Sequence, residues 1–507
     1  MPSPDRDNAA TTSAAVAPAS PEDLSAVRDR ALQVLLDPAL EPVVELVAWA
    51  DQEHVYAETR DGACRLRFDD PSGGREVLRG SDPLARQDPL ALTPAAAEEA
   101  DPRPGRARTS YPHAGPRLAS LFLLRERAPD IAVVHTDAHH WPERGGHLGE
   151  HGSLGVLQSR APLVLSGRGV RARGVLRDSA RVVDVMPTLA ALAGVPLADL
   201  VGLDGTALTR LVEPQDPPGY VVGLLWDGCN CADLLQLCRS GELPAVSRLL
   251  ERGCALEGGA VAEFPSVTLT NHTSALTGLG PGRHGIVHNA FWDRSAGEQV
   301  MANDASTWHV AARLLLPGVR TLWEVVEAAR PGTSTACVDD PTDRGAGYST
   351  FGLVRASGSA GSGSLADSLP AADTDPNATV AAAQSNRDYA WGSKIDAAGL
   401  TQVLTLWGQP EPPRVMWWNT VLTDGANHNG GPRSGLSRAG MRDSDRRLGV
   451  WLDLVEKRGL TDEVTVLLTA DHGMAHADPA VTGDWGPALA AAGIPYRDEA
   501  FGFLYLG

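Results

Sequence analysis

Long apolar runs, paired cysteines and basic residues are all scarce in this sequence. No apolar run approaches the length that spans a bilayer, so contact with a membrane is not expected. Only 6 of the 507 residues are cysteine, and none has the CxxC spacing of a structural zinc knuckle. Lys and Arg number 44 against 63 Asp and Glu, a formal net charge of −19. This charge argues against binding of nucleic-acid polymers, which requires a basic face.

The first 22 residues contain no apolar stretch of the kind found in signal peptides. They are rich in Ala, Ser, Pro and Thr, which predicts a disordered leader over residues 1–22. The simplest expectation is then a cytoplasmic protein. Hydrophobic residues make up 43% of the chain, enough for a substantial core. The length allows either two or three domains or one large α/β domain with insertions.

Residues 264–289 read FPSVTLTNHTSALTGLGPGRHGIVHN. This segment is predicted to contain a turn that leads into a helix and carries a functional residue. A helix is expected from about Leu269 to Thr277, because a cluster of glycine and proline begins at Gly278. Thr268 therefore lies at the start of this helix, whose free N–H groups and dipole favour an anionic oxygen. On its own, a threonine at this position is most often an N-cap.

Three apolar segments that are typical of buried strands end in acidic residues. Asp227 follows VVGLLW, Asp424 follows RVMWWNTVLT with His428 four residues later, and Asp471 follows VTVLLTA with His472 next. In an α/β protein such strand ends gather at one edge of the sheet, where ligands bind. Carboxylate and imidazole groups beside a hydroxyl suit zinc. Each aspartate alone would be an ordinary turn residue, but the set together predicts a metal site.

At these residues the chain resembles the type I phosphodiesterase/nucleotide pyrophosphatase family of the alkaline phosphatase superfamily. The matching pieces are WDG at Asp227, FPSVTLTNH at Thr268, TGLGPGRHGIVHN, DGANH and TADHGM, in the family's order over about residues 220–475. The resemblance implies an α/β fold: an alkaline-phosphatase-like three-layer sandwich. Such a fold has a central, mostly parallel sheet flanked by helices, together with a smaller cap insertion.

The same resemblance implies two Zn2+ ions, with other divalent metals as alternatives. Residues at the matching positions would hold them: Asp227, Thr268, Asp471 and His472 the first, and Asp424 and His428 the second. Thr268 would be the nucleophile, and Asn289 would bind a non-bridging phosphoryl oxygen.

The family also needs a late histidine on the second zinc, and after His472 only His476 remains. Residues 145–212 are similar to the closing portion of the superfamily, with EHGS, the strand APLVLSG and the helix VVDVMPTLAALAG. We therefore interpret the chain as circularly permuted, with His151 as the third ligand. Permutation costs little when the original termini are close together at the surface.

Two alternatives to this role of His151 stay open. His151 could be a loop histidine of an unrelated N-terminal domain. The same loop offers His139, His140 and His147 as replacements for His151. These histidines, together with His135 and His151, could also form a separate metal site.

These patterns predict a division of the chain into segments. They are a leader at 1–22, the permuted C-terminal part of the core at 23–212, a linker at 213–219, and the N-terminal and middle part of the core at 220–507, with a cap at about 293–410. Residues 71–108 are expected to form a surface excursion. Asp339 and Asp340 are expected in a loop or at a pocket rim, because the metal set is complete without them.

The predicted activity is hydrolysis of phosphodiester bonds, with nucleotide pyrophosphates included, through a phosphothreonine intermediate at a two-zinc site. The partner would be a small-molecule phosphodiester or phosphonate. Leu269 follows Thr268 where nucleotide pyrophosphatases usually have an aromatic residue that stacks on the base, so a phosphonoacetate-type phosphonate hydrolase is an alternative. A catalytically silent binding or scaffold relative is the alternative from another class. The sequence leaves the oligomeric state open.

Overall fold

A central eight-stranded sheet carries Asp227 and Asp471 just after strand ends, as predicted, whereas Asp424, also predicted at a strand end, lies in the first turn of the helix that follows its strand. The computed structural model describes residues 21–72, 74–142, 145–213, 217–358, 387–499 and 502–507. The expected leader, apart from its last two residues, and positions 214–216 of the expected linker lie outside the described residues. Among the described helices, none combines the length and apolarity needed to cross a bilayer. The cytoplasmic location stays a prediction.

The strands are β1 Val44–Ala50, β2 His54–Thr59, β3 Gly62–Arg67, β4 Glu76–Gly80, β5 Ile131–His135, β6 Gly149–Glu150, β7 Arg160–Ala161, β8 Leu163–Gly167, β9 Gly174–Leu176, β10 Ala180–Arg181, β11 Tyr220–Trp226, β12 Gly253–Leu256, β13 Ala260–Val261, β14 Ala290–Asp293, β15 Glu298–Met301, β16 Thr335–Val338, β17 Tyr348–Ser349, β18 Val415–Thr420, β19 Val464–Thr469, β20 Ala475–His476, β21 Tyr496–Asp498 and β22 Phe503–Leu506.

The α-helices are α1 Pro21–Leu35, α2 Ala95–Ala100, α3 Ala114–Phe122, α4 Val156–Ser159, α5 Val185–Leu192, α6 Cys231–Arg239, α7 Pro244–Glu251, α8 Thr268–Thr277, α9 Pro281–His284, α10 Leu322–Ala329, α11 Thr350–Ser357, α12 Arg387–Gly408, α13 Leu422–Gly430, α14 Gly435–Lys457 and α15 Gly486–Ala491. Short 3-10 helices occupy Pro38–Leu40, Val182–Asp184, Leu197–Leu200 and Trp308–Leu314.

The central sheet has the order β17-β16-β18-β11-β19-β8-β12-β9. The strands from β17 to β19 run parallel to one another, whereas β8 is antiparallel to both of its neighbours. Both faces of the sheet are covered. Val221 and Leu225 of β11 pack into one core with α5 and α10, and Val222 and Leu224 pack into another with α6, α7 and α14. Such continuous apolar strands are typical of a parallel sheet buried on both sides. The expected α/β architecture, a central sheet flanked by helices, is confirmed.

A second, antiparallel sheet has the order β21-β22-β5-β1-β2-β3-β4. It combines strands from the two ends of the chain, because β22 pairs with β5. Its inner face shares a core with Phe264, Leu269 and Ile286, which surround the start of α8. The second sheet therefore supports the predicted Thr268 turn from one side.

Two parts of the predicted division can be compared with these elements. Within the expected cap at 293–410, β16 and β17 pair into the central sheet, so that part of the range is core. Within the expected surface excursion at 71–108, β4 is exposed, but α2 carries the buried residue Glu98. The remaining boundaries stay predictions.

Candidate metal centre

The first group of candidate ligands lies at the carboxyl ends of β11 and β19. Asp227 directly follows β11, and Asp471 and His472 follow β19. His472 Nε2 lies 3.1 Å from Asp471 Oδ2 and 3.8 Å from Asp227 Oδ1. A tetrahedral zinc with bonds of about 2.0–2.2 Å separates its ligand atoms by roughly 3.4 Å, so this spacing fits one cation.

The second group combines one helix with the histidine-rich loop. Asp424 and His428 are one turn apart on α13, and His428 Nε2 lies 3.4 Å from Asp424 Oδ1. His151 follows β6 and places its Nε2 4.0 Å from the same carboxylate oxygen. The structure thus brings His151 to the Asp424–His428 pair. His139 and His140 belong to none of the candidate metal groups among the described residues.

The two groups are neighbours. The rings of His151 and His472 stack with their centroids 3.7 Å apart and their planes 15° apart. Gly228, the glycine of WDG, donates its N–H to Asp471 Oδ1 at 3.0 Å and has a φ of +63°. A Cβ at Gly228 would lie 2.6 Å from Asp424 Oδ1. A glycine is therefore required between the two groups.

Each of the three imidazoles is oriented by a backbone carbonyl. The Nδ1 atoms of His151, His428 and His472 lie 2.8–2.9 Å from the carbonyl oxygens of Ser266, Gly149 and Gly473. Because a carbonyl oxygen only accepts, Nδ1 carries the hydrogen and Nε2 keeps its lone pair, as in protein metal sites. Burial lowers the pKa of His151 well below its ordinary value, and nearby His472 and His428 lower it further.

Several buried polar atoms of these groups make no hydrogen bond. They are Asp227 Oδ1, Asp424 Oδ1, Asp471 Oδ2 and His472 Nε2. Burial raises the pKa of Asp227 well above its ordinary value, and the neighbouring carboxylates of Asp471 and Asp424 raise it further. A dication would satisfy these atoms and offset the crowding of negative charge. The oxygen and nitrogen donors thus fit the zinc ions that the sequence predicts.

Ser266 anchors the His151 loop to the turn before α8. Its Oγ accepts a hydrogen bond from Gly152 N at 3.1 Å and donates one to Ser153 O at 2.7 Å. Its carbonyl oxygen receives the Nδ1–H of His151. Three hydrogen bonds therefore hold the loop that carries His151, the third candidate ligand, against Ser266. Ser266 precedes Thr268 by two residues.

His272 was not among the predicted site residues, but it lies directly behind the first group. Its Nε2 is 3.7 Å from Asp227 Oδ2 and 3.7 Å from Asp471 Oδ2. Its Nδ1 donates to Asp340 Oδ2 at 2.9 Å. Burial alone would lower the pKa of His272, but Asp340, Asp227 and Asp471 outweigh it and hold this pKa well above its ordinary value. The polar run TNHTS inside a buried helix was the available signal.

Asp340 follows β16 in a loop, as expected, but it is fully buried and does not lie at a pocket rim. Its Oδ2 also accepts from Trp417 Nε1 at 2.8 Å, and its Oδ1 accepts from Thr342 N at 2.8 Å. Burial would raise the pKa of Asp340, but His272 and these hydrogen bonds lower it. The Asp340 carboxylate therefore orients the His272 ring from the side opposite Asp227 and Asp471.

Thr268 is the first residue of α8 and is partly exposed to a cleft. Asn271 secures the preceding turn, because its Oδ1 accepts from Glu263 N at 2.7 Å and its Nδ2 donates to Pro265 O at 3.0 Å and Val267 O at 3.1 Å. The helix therefore starts in one defined position, with Thr268 at its positive end.

Asn289 lies beside Thr268 in the same cleft. Its Oδ1 accepts the N–H of Leu269 at 3.0 Å, which leaves its amide hydrogens for a ligand. The N–H of Leu269 therefore donates to Asn289 and does not donate to a ligand. The Leu269 side chain is 1% exposed and belongs to the core beneath, so it does not reach the cleft.

The cleft encloses about 210 Å³. Thr268, Asn289 and all three residues of the second group line it, whereas the first group lies outside its lining. Its apolar wall comes from Val133 and Phe503 of the second sheet and from Phe264. No Lys or Arg occurs among its lining residues in the described part of the chain.

Comparison with known proteins agrees with the resemblance. The family model described as type I phosphodiesterase/nucleotide pyrophosphatase matches residues 221–491, which is more than half of the chain. All the predicted site residues except His151 lie within this match. Mouse ectonucleotide pyrophosphatase/phosphodiesterase family member 3 is 24% identical over 269 residues, 52% of this chain and 26% of that protein. The chain thus spans about a quarter of this curated relative.

Two solved structures are also similar. Murine ectonucleotide pyrophosphatase/phosphodiesterase 5, in complex with AMP, is 16% identical with a TM-score of 0.34, over 52% of this chain and 59% of that chain. Phosphonoacetate hydrolase from Sinorhizobium meliloti is 25% identical with a TM-score of 0.34, over 50% and 57%. On the extent of the family match, the chain belongs to the type I phosphodiesterase/nucleotide pyrophosphatase family.

Proposed function

We propose that this protein is a metal-dependent hydrolase that cleaves phosphodiester bonds through a phosphothreonine intermediate at a two-zinc site. The observation that carries the proposal is the second ligand group beside the partly exposed Thr268 in the cleft, with the first group next to it through the stacked rings of His151 and His472. In this proposal Asp227, Asp471, His472 and Thr268 hold one cation. Asp424, His428 and His151 hold the other.

When bound, the two cations would neutralise phosphoryl oxygens and lower the pKa of a nearby hydroxyl group. Thr268 Oγ1 forms the new bond to phosphorus as the bond to the leaving alkoxide breaks, and its proton passes to solvent. The amide hydrogens of Asn289 hold a non-bridging oxygen while its Oδ1 stays on Leu269 N–H. Water then hydrolyses the phosphothreonine. The positive end of α8 stabilises negative charge in both steps.

The lining of the cleft favours a substrate with a single negative charge. Phosphonoacetate carries a carboxylate and a pyrophosphate carries a second phosphoryl charge. No Lys or Arg among the described lining residues receives such a group. Leu269 cannot stack on a nucleobase because it is buried. We therefore place a simple phosphodiester ahead of the phosphonate alternative.

The deciding experiment measures bound zinc and turnover on the same preparation. Two tightly bound zinc ions and cleavage of bis(p-nitrophenyl) phosphate in preference to p-nitrophenyl phosphate, a dinucleotide and phosphonoacetate are expected. Thr268→Ala should lower turnover by about a thousandfold or more with both metals retained, and Thr268→Ser should restore part of it. Metal-replete protein with no turnover on any of these compounds would instead favour the silent binding relative.

We also propose that the chain order is a circular permutation of the family's order. Its support is that β8, from residues outside the family match, pairs with β19 inside the match. His151 likewise comes from outside the match and completes the second ligand group.

A further inference from the structure

A third set of metal-ligating side chains lines the same cleft. His147, Glu150 and His428 offer ligand atoms that all lie within 4.8 Å of one another, and we call them the outer group. His147 Nδ1 is 3.5 Å from Glu150 Oε1, close to the roughly 3.4 Å edge of a tetrahedral zinc site. The ring centroids of His147 and His428 are 4.3 Å apart. Two imidazoles and a carboxylate form a common ligand set of divalent transition metals.

The charge of Glu150 supports a cation at this place. Its side chain is only 7% exposed. Among the described residues, His147 is the one basic side chain within 4.0 Å of this carboxylate. A buried carboxylate without a strong counter-charge is costly, and a bound cation removes that cost.

His428 belongs to both the outer group and the second group. Its Nδ1 is held by Gly149 O, so Nε2 is the nitrogen that can bind a metal. One lone pair binds one cation. His428 can therefore bind a cation together with His151 and Asp424 or a cation together with His147 and Glu150, but not both cations at once.

We propose that the outer group is an inhibitory site for an additional divalent transition-metal ion, which withdraws His428 from the second group. The inference rests on the proposed role of the second group in activity. Zinc at low concentration fills the two inner groups and supports turnover. Zinc in excess fills the outer group and suppresses turnover. Mg2+, which prefers oxygen ligands, does not reproduce this effect.

Zinc titration of the 507-residue chain tests the proposal. Bound zinc is measured by equilibrium dialysis and elemental analysis, and turnover of bis(p-nitrophenyl) phosphate is measured at each free concentration. A third, weaker zinc should bind as turnover falls. His147→Gln and Glu150→Gln should each weaken this third zinc by about tenfold or more while both inner ions stay bound. His54→Gln, on the second sheet, is the matched control and should bind all three.

Three results would overturn the inference. They are a stoichiometry that stays at two up to millimolar zinc, a third zinc that neither variant weakens, and full turnover with the third zinc bound. Failure of the proposed function looks different, because a protein that binds its inner zinc ions but never cleaves a diester contradicts that function. In that event the number of zinc ions bound by His147→Gln and by Glu150→Gln still shows whether the outer group binds zinc.

Discussion

At the scale of single residues, the candidate metal centre is backed by side chains that do not line the cleft. His272 lies between the carboxylates of Asp227 and Asp471 on one side and Asp340 on the other. His272 Nε2 lies 3.7 Å from both carboxylates and so limits their positions, and loss of a group directly behind metal ligands commonly lowers metal affinity by about 10–100-fold.

We expect His272→Ala to weaken the first metal by about 10–100-fold without a matching loss at the second, because only Asp227 and Asp471 lose their support. Asp340→Asn should act in the same direction, since it weakens the partner of His272. Zinc competition against a chromophoric chelator measures both affinities. His309→Ala, in a separate cavity, is the control, and equal weakening of both metals by His272→Ala would contradict this role.

The buried carboxyl group of Asp339, next to Asp340, should make the free energy of unfolding depend on pH. Burial, with a contribution from Asp396, raises its pKa to about 8. A carboxyl group whose pKa is raised on folding stabilises the protein most at low pH. That contribution is lost as pH rises from about 4 to about 8, by at most about 1.4 kcal/mol per pH unit. Asp339→Asn removes this loss, and asparagine tolerates the φ of +59° at this position.

Urea unfolding at about pH 5 and about pH 8 measures the effect. The variant should gain stability relative to the wild type as pH rises between these values. Asp70→Asn, at an exposed position, should show no such gain. A constant difference between Asp339→Asn and the wild type at both pH values would exclude the raised pKa.

At the scale of elements, α2 is tied into the core by a buried ion network. Glu98 contacts both Arg160, at the start of β7, and Arg433, which follows α13. Arg433 Nε also donates to Asp233 Oδ1 on α6 at 2.6 Å. One carboxylate thus joins the segment at 71–108 to the helix that carries His428.

Glu98→Gln should destabilise the protein by about 3–5 kcal/mol, because the buried guanidinium of Arg160 loses a negative partner and Arg433 loses one of its two. The neighbouring Glu99 is exposed, so Glu99→Gln is the matched control and should change stability by no more than about 0.5 kcal/mol. Thermal or urea unfolding measures both. Equal stability of the two variants would show that the network contributes little.

At the scale of the whole molecule, the two ends of the described chain meet. Gly507, after β22, packs against α1, and a Cβ there would lie 3.5 Å from Leu24 Cδ2. Joining these ends therefore costs little loop entropy. The described strands that precede and follow the expected linker in the sequence, β9 and β11, belong to one sheet.

A variant that joins Gly507 to Met1 and opens the chain within 213–219 should fold. It should bind zinc and keep turnover within about tenfold of the original order, because every contact of the core is preserved. Circular dichroism, zinc content and diester cleavage test this. Opening the chain inside β11 instead, between Gly223 and Leu224, should abolish folding. Loss of folding with both openings would show that the changed chain order is not tolerated.

The ligand types were readable from local patterns, because each motif couples a strand end to a polar residue within a few positions. Asp227, Asp471 and His472 follow predicted strands, and the helix from about Leu269 to Thr277 was found with its bounds nearly correct. Such signals are short-range, since they depend on strand burial, glycine stops and helix starts.

Only the tertiary structure decided which distant residues support these motifs. Asp340 was assigned to a loop or rim because sequence spacing says nothing about depth. Its carboxylate is enclosed by His272 of α8 and Trp417 of β18, which are distant in the sequence. The shared position of His428 between two groups depends on the loop at His147. The sequence by itself determined the donor atoms, and the packing of the two sheets decided which of them face one another, because contacts over hundreds of residues leave no local pattern.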